Sequence, residues 1–426
     1  MAKRSQGKNR SGSGTTNKQA PDYATICQRS DGAPVAQGFE KLGPINKFED
    51  LLCPQTNQDP AARLAAEQIF HMIEGWRYIS AATTAYLSHS KHTALHFAYY
   101  AELRAAISLL SWSGIRVRQA DHYYLDSTGS KKIVTNSPTH KAVWGLWQHW
   151  VKRPDAERLF RDQIRLTPGV CLADVLKALQ YVKPSQTLQS WGIDLAKIQD
   201  DHTARNNSSY EAFWIDAPLS KMAEEDLKLI LTLWKLLLPQ DSGLRFDSTL
   251  ISFFVKEALP AMQAQSEQAK AEGAAAPSTL IDSIEKIAAT IAQNTGADLS
   301  AISRRLDLSL YETTPFSLAS SVDTKPENVL CRAFFLLRLA MLATKLNLSL
   351  AKNKAATEWL TNWFEHAGLW SSTLLVEPQD SPIDYELALQ DFEATNELPF
   401  DIWSPKNAAQ TAKLTRPDAC LIWNIL

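Results

Sequence analysis

The chain has 426 residues, of which 45% are hydrophobic and 21% are charged, and its formal net charge is −2. The length exceeds what one hydrophobic core usually organises, and the composition excludes a disordered chain or a membrane protein. The near-neutral charge excludes a protein that wraps nucleic acid along its whole length, but it leaves room for a local basic patch.

The cysteines and the N-terminus point to a cytoplasmic protein. The five cysteines are scattered and never form a Cys-x-x-Cys pair, so neither a disulfide framework nor a zinc ribbon is indicated. The N-terminus is basic but lacks the apolar segment of a secretory signal, so we expect no export. The most apolar helical segment, 330–348, carries Arg332, Arg338 and Lys345 and is therefore expected to be a buried helix instead of a membrane anchor.

Residues 1–58 are predicted to form a basic disordered tail and a proline-rich lead-in. The tail, up to about residue 22, has five cations between Lys3 and Lys18 with no acidic residue among them. Such a tail could seek phosphate or could be a leader without function, and we favour the second interpretation. Five prolines between Pro21 and Pro60 predict an irregular, extended segment before the first helix.

From Ala61 onward the apolar periodicity is helical, and alternating strand patterns are nearly absent. The predicted helices are 60–88, 91–113, 139–152, 154–165, 171–182, 209–216, 221–238, 246–266, 279–294, 298–309, 327–348 and 354–368. Residues 121–126 and 132–134 flank a Ser-Thr-Gly-Ser turn and predict a small β-hairpin. We therefore expect a mainly α fold with a β-hairpin insertion.

One break in composition divides the predicted helices into two units. Residues 263–278 contain no large apolar side chain and predict a linker between a helical domain at 59–262 and a second helical unit at 279–426. The two units could still pack as one body. The terminal segment 421–426 is too apolar to remain in water, so we expect it to dock on the body or on a partner.

The segment Arg205-Asn206-Asn207-Ser208-Ser209-Tyr210 is the polar cluster most suggestive of chemistry, because it can hold a guanidinium, an amide and a hydroxyl beside a phosphate. Glu102 stands among small and apolar residues in the predicted helix 91–113. If it points inward it needs a cationic partner, for which Arg205 is a candidate. Alternatively, Glu102 and Arg104 lie on a solvated face.

Two segments of the chain, 99–106 and 205–210, resemble a known superfamily. Tyr99-Tyr100-Ala101-Glu102-Leu103-Arg104-Ala105-Ala106, followed about a hundred residues later by Arg205-Asn206-x-x-x-Tyr210, resembles the HEPN superfamily of helical nucleotide- and RNA-binding domains. Within it the chain is similar to the YaaC-like proteins, through the Arg-Asn pair, Ser209-Tyr210 and the apolar segment 329–337. The resemblance implies a HEPN-like bundle, a homodimer with facing motifs, and a place among the subunits of a bacterial conflict or anti-phage defence complex.

A histidine stands in many HEPN proteins where this chain has Tyr210. Metal-independent RNA cleavage needs a base and a cation, and tyrosine, with a pKa of about 10, is a poor base at neutral pH. We therefore expect a noncatalytic protein that binds a phosphate-containing ligand, RNA or a nucleotide, or a partner protein. The expected binding residues are Glu102, Arg205, Asn206, Ser209 and Tyr210.

Two alternatives to this interpretation remain open. The first is a metal-independent endoribonuclease in which Arg205 stabilises the transition state and Tyr210 or His202 transfers protons. The second is a purely structural role, since Ser208 and Glu211 match a capping box at the start of a helix.

Three further patterns receive structural interpretations. His89, His92 and His96 lack a convincing third metal ligand, so we expect neither a metal nor a cofactor. The tryptophans at 144, 147 and 150 could stack bases, but they fit a buried helix face better. Residues 287–306 hint at a DNA-binding helix-turn-helix, but the turn is too late, so we predict an ordinary helical hairpin with Arg304 and Arg305 in solvent.

Overall fold

The computed structural model describes residues 21–42, 59–119, 121–134, 137–179, 203, 206, 224–241, 243–271, 283–307, 312–321, 323–352, 354–371, 380–394, 403 and 407–425. This part of the chain is mainly helical, which confirms the predicted mainly α fold. Among the described helices, none combines the length and the apolar character that crossing a membrane requires.

The helices follow one another along the whole described chain. They are α1 (Tyr23–Arg29), α2 (Ala33–Glu40), α3 (Pro60–Leu87), α4 (Lys91–Trp112), α5 (Thr139–Trp150), α6 (Pro154–Gln163), α7 (Leu172–Ala178), α8 (Glu224–Leu237), α9 (Arg245–Ala271), α10 (Ile284–Thr295), α11 (Leu299–Arg305), α12 (Thr314–Ser320), α13 (Pro326–Leu350), α14 (Ala355–His366), α15 (Ser381–Ala394), α16 (Ala408–Leu414) and α17 (Cys420–Ile425). A short 3₁₀ turn, Pro417–Ala419, precedes α17.

Short antiparallel strands decorate the helices. They are β1 (Ile115–Arg116), β2 (Tyr123–Leu125), β3 (Lys131–Ile133), β4 (Arg165–Thr167), β5 (Val170–Cys171), β6 (Pro239–Gln240) and β7 (Gly243–Leu244). Strands β2 and β3 form the predicted hairpin, with Tyr123 opposite Ile133, and β1 pairs with the other edge of β2. The β4–β5 and β6–β7 hairpins are too short to produce a recognisable alternation in the sequence.

Local sequence explains where the long helices start and stop. The side chain of Asp59 accepts a hydrogen bond from the amide of Ala61, and Pro60 occupies the first turn, where its missing N–H costs nothing. Helix α10 ends at Gly296, whose φ of 71° lies in the left-handed region that glycine tolerates. Asp298 then caps α11 by accepting from the amides of Ser300 and Ala301.

Helices α3, α4 and α13 form the centre of the hydrophobic core. Helix α13 is buried from Asn328 to Thr344, as expected for an apolar helix surrounded by protein. Trp76 of α3 packs edge-to-face on Phe334 of α13, with ring centroids 5.8 Å apart. The predicted units 59–262 and 279–426 therefore contribute to one continuous core.

The predicted linker at 263–278 begins inside a helix. Helix α9 continues to Ala271, so the absence of large apolar side chains from residue 263 onward does not end it. Alanine, glutamate, lysine and glutamine favour helix even without a face to bury. Residues 272–282 lie outside the described part of the chain, and the domain boundary stays a prediction.

The prediction of an irregular lead-in is wrong for residues 23–29 and 33–40, which form α1 and α2. Pro34 lies in the first turn of α2, where proline favours the start of a helix instead of breaking it. Val35 and Phe39 are fully buried, and Gly38 lies against the backbone of Ala61. Packing of α2 on α3, and of α1 on α5 through Tyr23 and Cys27, is what orders this segment.

The C-terminal segment docks on the body of the same chain. Leu421 and Ile422 are fully buried, and the indole nitrogen of Trp423 donates to the carbonyl of Leu237 at 2.9 Å. The side-chain oxygen of Asn424 accepts from Nη1 of Arg338 at 3.1 Å. Residues 420–425 therefore dock on the body of the chain, which is one of the two predicted docking sites.

Candidate ligand-binding cleft

The predicted binding segment lies largely outside the described residues. This applies to Arg205, Ser209 and Tyr210, and also to His202, so their arrangement stays a prediction. Asn206 is described, in a helical conformation and half-buried. Glu102 is fully described, within α4.

Glu102 is completely buried, which confirms the inward orientation and rules out the solvated alternative for this residue. Its Oε1 lies 3.6 Å from Nε of Arg332 on α13. The same guanidinium donates to the carbonyls of Ser321 and Asp323, each at 3.1 Å. The described cation beside Glu102 is thus Arg332, whereas Arg205 was the candidate from the sequence. A charge inside an otherwise apolar helix was the available signal, but Arg338 and Lys345 of the same helix share it with Arg332.

A cleft of about 430 Å³ opens on the other side of α4, between α3, α4, the segment after β1 and the start of α5. The charged and histidine side chains of its lining are Glu67, His71, Glu74, Arg104, Arg118 and His140. We call it the α3–α4 cleft. Residues three and four positions apart share a helix face, which explains why His71 and Glu74 of α3 reach the same space.

An ion-pair network forms the floor of the α3–α4 cleft. Nε and Nη2 of the buried Arg116 both contact the carboxylate of Glu67, at 2.9 and 2.7 Å. Arg63 and Arg118 each place a nitrogen 3.7 Å from the same carboxylate. Arg116 also donates to the carboxylate of Asp121. The shared carboxylate therefore holds three guanidinium groups close together.

His71 is held neutral in this cluster. Nη1 of Arg104 lies 3.2 Å from Nδ1 of His71, and because arginine can only donate, Nδ1 must accept. Burial, and then the positive charges of Arg104, Arg118 and Arg116, lower the pKa of His71 well below its ordinary value. The ring proton consequently resides on Nε2, which makes His71 a hydrogen-bond donor at neutral pH.

Aromatic rings supply another part of the wall. Tyr100 and Phe70 line the cleft. The ring of Tyr100 stacks on Tyr78, with centroids 5.4 Å apart, and His96 packs beside it at 5.0 Å. A ring held in this way offers a flat surface of the kind on which a base can stack.

The charges that line the cleft balance one another, since Arg104 and Arg118 stand against Glu67 and Glu74. The network behind the lining is more positive. It adds the cations Arg63, Arg116 and Lys131 and the carboxylate Asp121, so the whole network has two positive charges in excess. Partly buried guanidinium groups in such surroundings favour an anionic ligand.

The remaining sequence patterns take structural roles. Trp144, Trp147 and Trp150 are buried in the core, which confirms the prediction of a packed helix face and leaves no stacking platform there. Within the described residues, no group of three or more His, Cys, Asp or Glu side chains is arranged to hold a metal ion. Arg304 is exposed as expected, but Arg305 is partly buried and pairs with Asp241 at 2.9 Å.

Most of the cleft was missed from the sequence. Glu67, His71 and Glu74 stand at positions i, i+4 and i+7 of α3, which is one helix face among apolar residues, and that polar stripe was the available signal. Arg116 and Arg118 have no such periodicity. Comparison of the chain with protein-family models, curated proteins and solved structures found no match. The functional argument therefore rests on the geometry of the α3–α4 cleft.

Proposed function

We propose that this chain is a noncatalytic, HEPN-like helical subunit of a bacterial conflict or anti-phage defence complex, and that it binds a phosphate-containing ligand in the α3–α4 cleft. The place in a defence complex rests on the resemblance around Glu102 and Arg205-Asn206. The ligand rests on the cleft itself, and the two parts can be tested separately.

The two arginines that line the cleft carry the proposal. Arg104 and Arg118 line the cleft, and their guanidinium groups match the planar, two-pronged geometry that phosphate oxygens prefer. The neutral His71 adds an N–H donor next to Arg104. Glu67, which Arg116 holds in place, lies 3.7 Å from Nη1 of Arg118 and attracts that guanidinium to the cleft.

The size and the aromatic wall favour a nucleotide, or one nucleotide of a single-stranded RNA, over a free phosphate. A volume of about 430 Å³ is within the range of small-molecule sites. Tyr100, braced by Tyr78, could stack against a base while Arg104 holds the phosphate.

The state of His71 supports a noncatalytic role. A general base needs a free lone pair, but Nδ1 of His71 already accepts from Arg104 and Nε2 carries the proton. Its lowered pKa also makes it a poor proton donor to a leaving group, since it does not hold a second proton at neutral pH. The cleft is therefore suited to binding instead of hydrolysis.

The experiment is calorimetric titration with AMP, ATP and a short single-stranded RNA. Arg104→Gln and Arg118→Gln should each weaken binding by about tenfold or more, the effect of losing one charged hydrogen bond. Arg158→Gln, an exposed arginine on α6, is the matched control and should bind like the wild type. Equal affinities in all four proteins, or no binding by the wild type, would contradict the ligand assignment.

A second measurement tests the noncatalytic part. Labelled single-stranded and structured RNA should remain intact when incubated with the wild-type protein without metal. Cleavage that disappears in Arg205→Ala would overturn this part and establish the endoribonuclease alternative with Tyr210 or His202. The calorimetric result is independent of this outcome.

A further inference from the structure

A second basic cleft, remote in sequence from the first, is formed by the end of α8, the start of α9 and the end of α11. Its volume is about 350 Å³, and its charged lining is Lys235, Arg245, Arg304, Arg305 and Glu312. We call it the α8–α11 cleft. We infer that this cleft is a separate binding site for an oligophosphate group.

The helical hairpin of α10 and α11 brings two of the cations to the cleft. Ile302 and Leu306 are fully buried, and the hydroxyl of Ser252 on α9 contacts the carbonyl of Arg305 at 3.5 Å. This packing places Arg304 and Arg305 next to the first turn of α9. The arginines that the sequence assigned to a solvated face thus line a concave surface with Lys235 and Arg245.

The arginines keep donors available for a ligand. Nη2 of Arg305 contacts Asp241 at 2.9 Å, and Nη2 of Arg245 contacts Glu386 at 3.1 Å. Each of these pairs engages one terminal nitrogen of a group that has five N–H donors. Arg304 forms no ion pair with any residue that the structure describes. Three guanidinium groups can therefore turn N–H donors toward the same space.

One carboxylate also lines the cleft, but it already has a structural task. Glu312 accepts from the amide of Thr314 at 3.0 Å and from the hydroxyl of that residue, at the start of α12. These hydrogen bonds, together with Lys228 and Lys256, lower the pKa of Glu312, so it is charged. The lining has four cations and this one carboxylate, and the flanking Asp241 and Glu386 each pair with one of the arginines, so one positive charge remains in excess.

The backbone reinforces the attraction. Helix α9 begins at Arg245 and is 27 residues long, so the positive end of its dipole lies beside the cleft. Four cations and a helix start exceed what a single phosphate needs, and a chain of two or three phosphates would engage them all. Such a group can come from a free oligophosphate or from the backbone of a single-stranded RNA.

The test uses sodium tripolyphosphate as the probe. Titration calorimetry is performed on the wild type, on Arg104→Gln/Arg118→Gln, and on Lys235→Gln/Arg304→Gln. We expect tripolyphosphate to bind the α8–α11 cleft of Arg104→Gln/Arg118→Gln with the wild-type affinity. Adding Lys235→Gln/Arg304→Gln to that variant should weaken this binding at least tenfold. Arg158→Gln is the control, and unchanged melting temperatures show that each variant is folded.

Two further arms decide between the outcomes. Glu312→Gln keeps the acceptor for Thr314 but removes a negative charge, so tripolyphosphate should bind severalfold more tightly, an effect that a merely structural role would not produce. A single-stranded RNA that competes with tripolyphosphate and needs Lys235 and Arg304 would identify the RNA backbone as the source. An RNA that neither competes with tripolyphosphate nor needs Lys235 and Arg304 would identify a free oligophosphate as the ligand. Absence of binding by the wild type, or binding indifferent to Lys235 and Arg304, would overturn the inference.

Discussion

The carboxylate of Glu102 lies 3.6 Å from the guanidinium of Arg332, with both side chains almost completely removed from solvent. The pair joins α4 to α13, two of the three central helices of the core. A buried charge without its partner is much more costly than a buried pair. The core therefore depends on both residues being present together.

Removing Arg332 alone should consequently destabilise the protein. We expect Arg332→Met to lower the free energy of unfolding by about 3–5 kcal/mol, because it leaves the carboxylate of Glu102 buried without this cation. Adding Glu102→Gln should recover part of the loss. Urea unfolding followed by circular dichroism measures both. Lys325→Met is the control, since its ion pair with Asp323 is exposed and should contribute less than about 1 kcal/mol. An equal loss of unfolding free energy in Arg332→Met and in Lys325→Met would contradict the prediction.

His71 should make stability depend on pH. Its folded pKa is lowered well below the unfolded value of about 6.5, so below that pH the unfolded chain binds a proton that the folded protein does not. Stability should thus fall as the pH decreases from 6.5 toward the folded pKa, by up to about 1.4 kcal/mol per pH unit. The slope of unfolding free energy against pH should be smaller in His71→Gln. Parallel slopes in the two proteins would argue against a neutral buried His71.

The C-terminal helix α17 should contribute to the stability of the body. Ile422 is fully buried, and Ile422→Ala should cost about 2–5 kcal/mol through lost packing and the cavity that remains. Ile383 is 56% exposed, so Ile383→Ala is the matched control and should change stability by less than about 0.5 kcal/mol. Chemical denaturation measures the difference. A cost near zero for Ile422→Ala would show that α17 is not held on the body.

The N-terminal helix α2 depends on a glycine for its position. A side chain at Gly38 would overlap with the backbone of Ala61, so Gly38→Ala should destabilise the protein by about 1–3 kcal/mol as α2 is pushed from α3. A side chain at Gly169 would meet only Ala297, at an ordinary 3.9 Å. Gly169→Ala should therefore be nearly neutral. Thermal unfolding compares the two variants, and similar melting temperatures would contradict the close packing of α2.

The helices from Pro60 onward were largely predictable because their signals are local. Capping by Asp59, the proline at the first position of α3 and the glycine that ends α10 are all visible in neighbouring residues. Helices α1 and α2 were missed since their order comes from packing on distant helices, α1 on α5 and α2 on α3. Helices α12 and α15–α17 were missed as well; all four are short or lie among segments with weak periodicity.

The candidate sites were less predictable than the helices. The inward orientation of Glu102 was one of two open interpretations, and its neighbour Arg332 could not be chosen from several cations by sequence alone. The α3–α4 cleft draws His71, Arg104 and Arg118 from three separate segments. The α8–α11 cleft does the same with Lys235, Arg245 and Arg304.

The sequence by itself determined a mainly helical protein with a small β-hairpin, because apolar periodicity and caps act over a few residues. Only the tertiary structure decided which charges are buried together and which line a common cleft. The physical reason is that a buried or concave charge is stabilised by groups from distant segments, and the packing of α3, α4 and α13 brings those segments together.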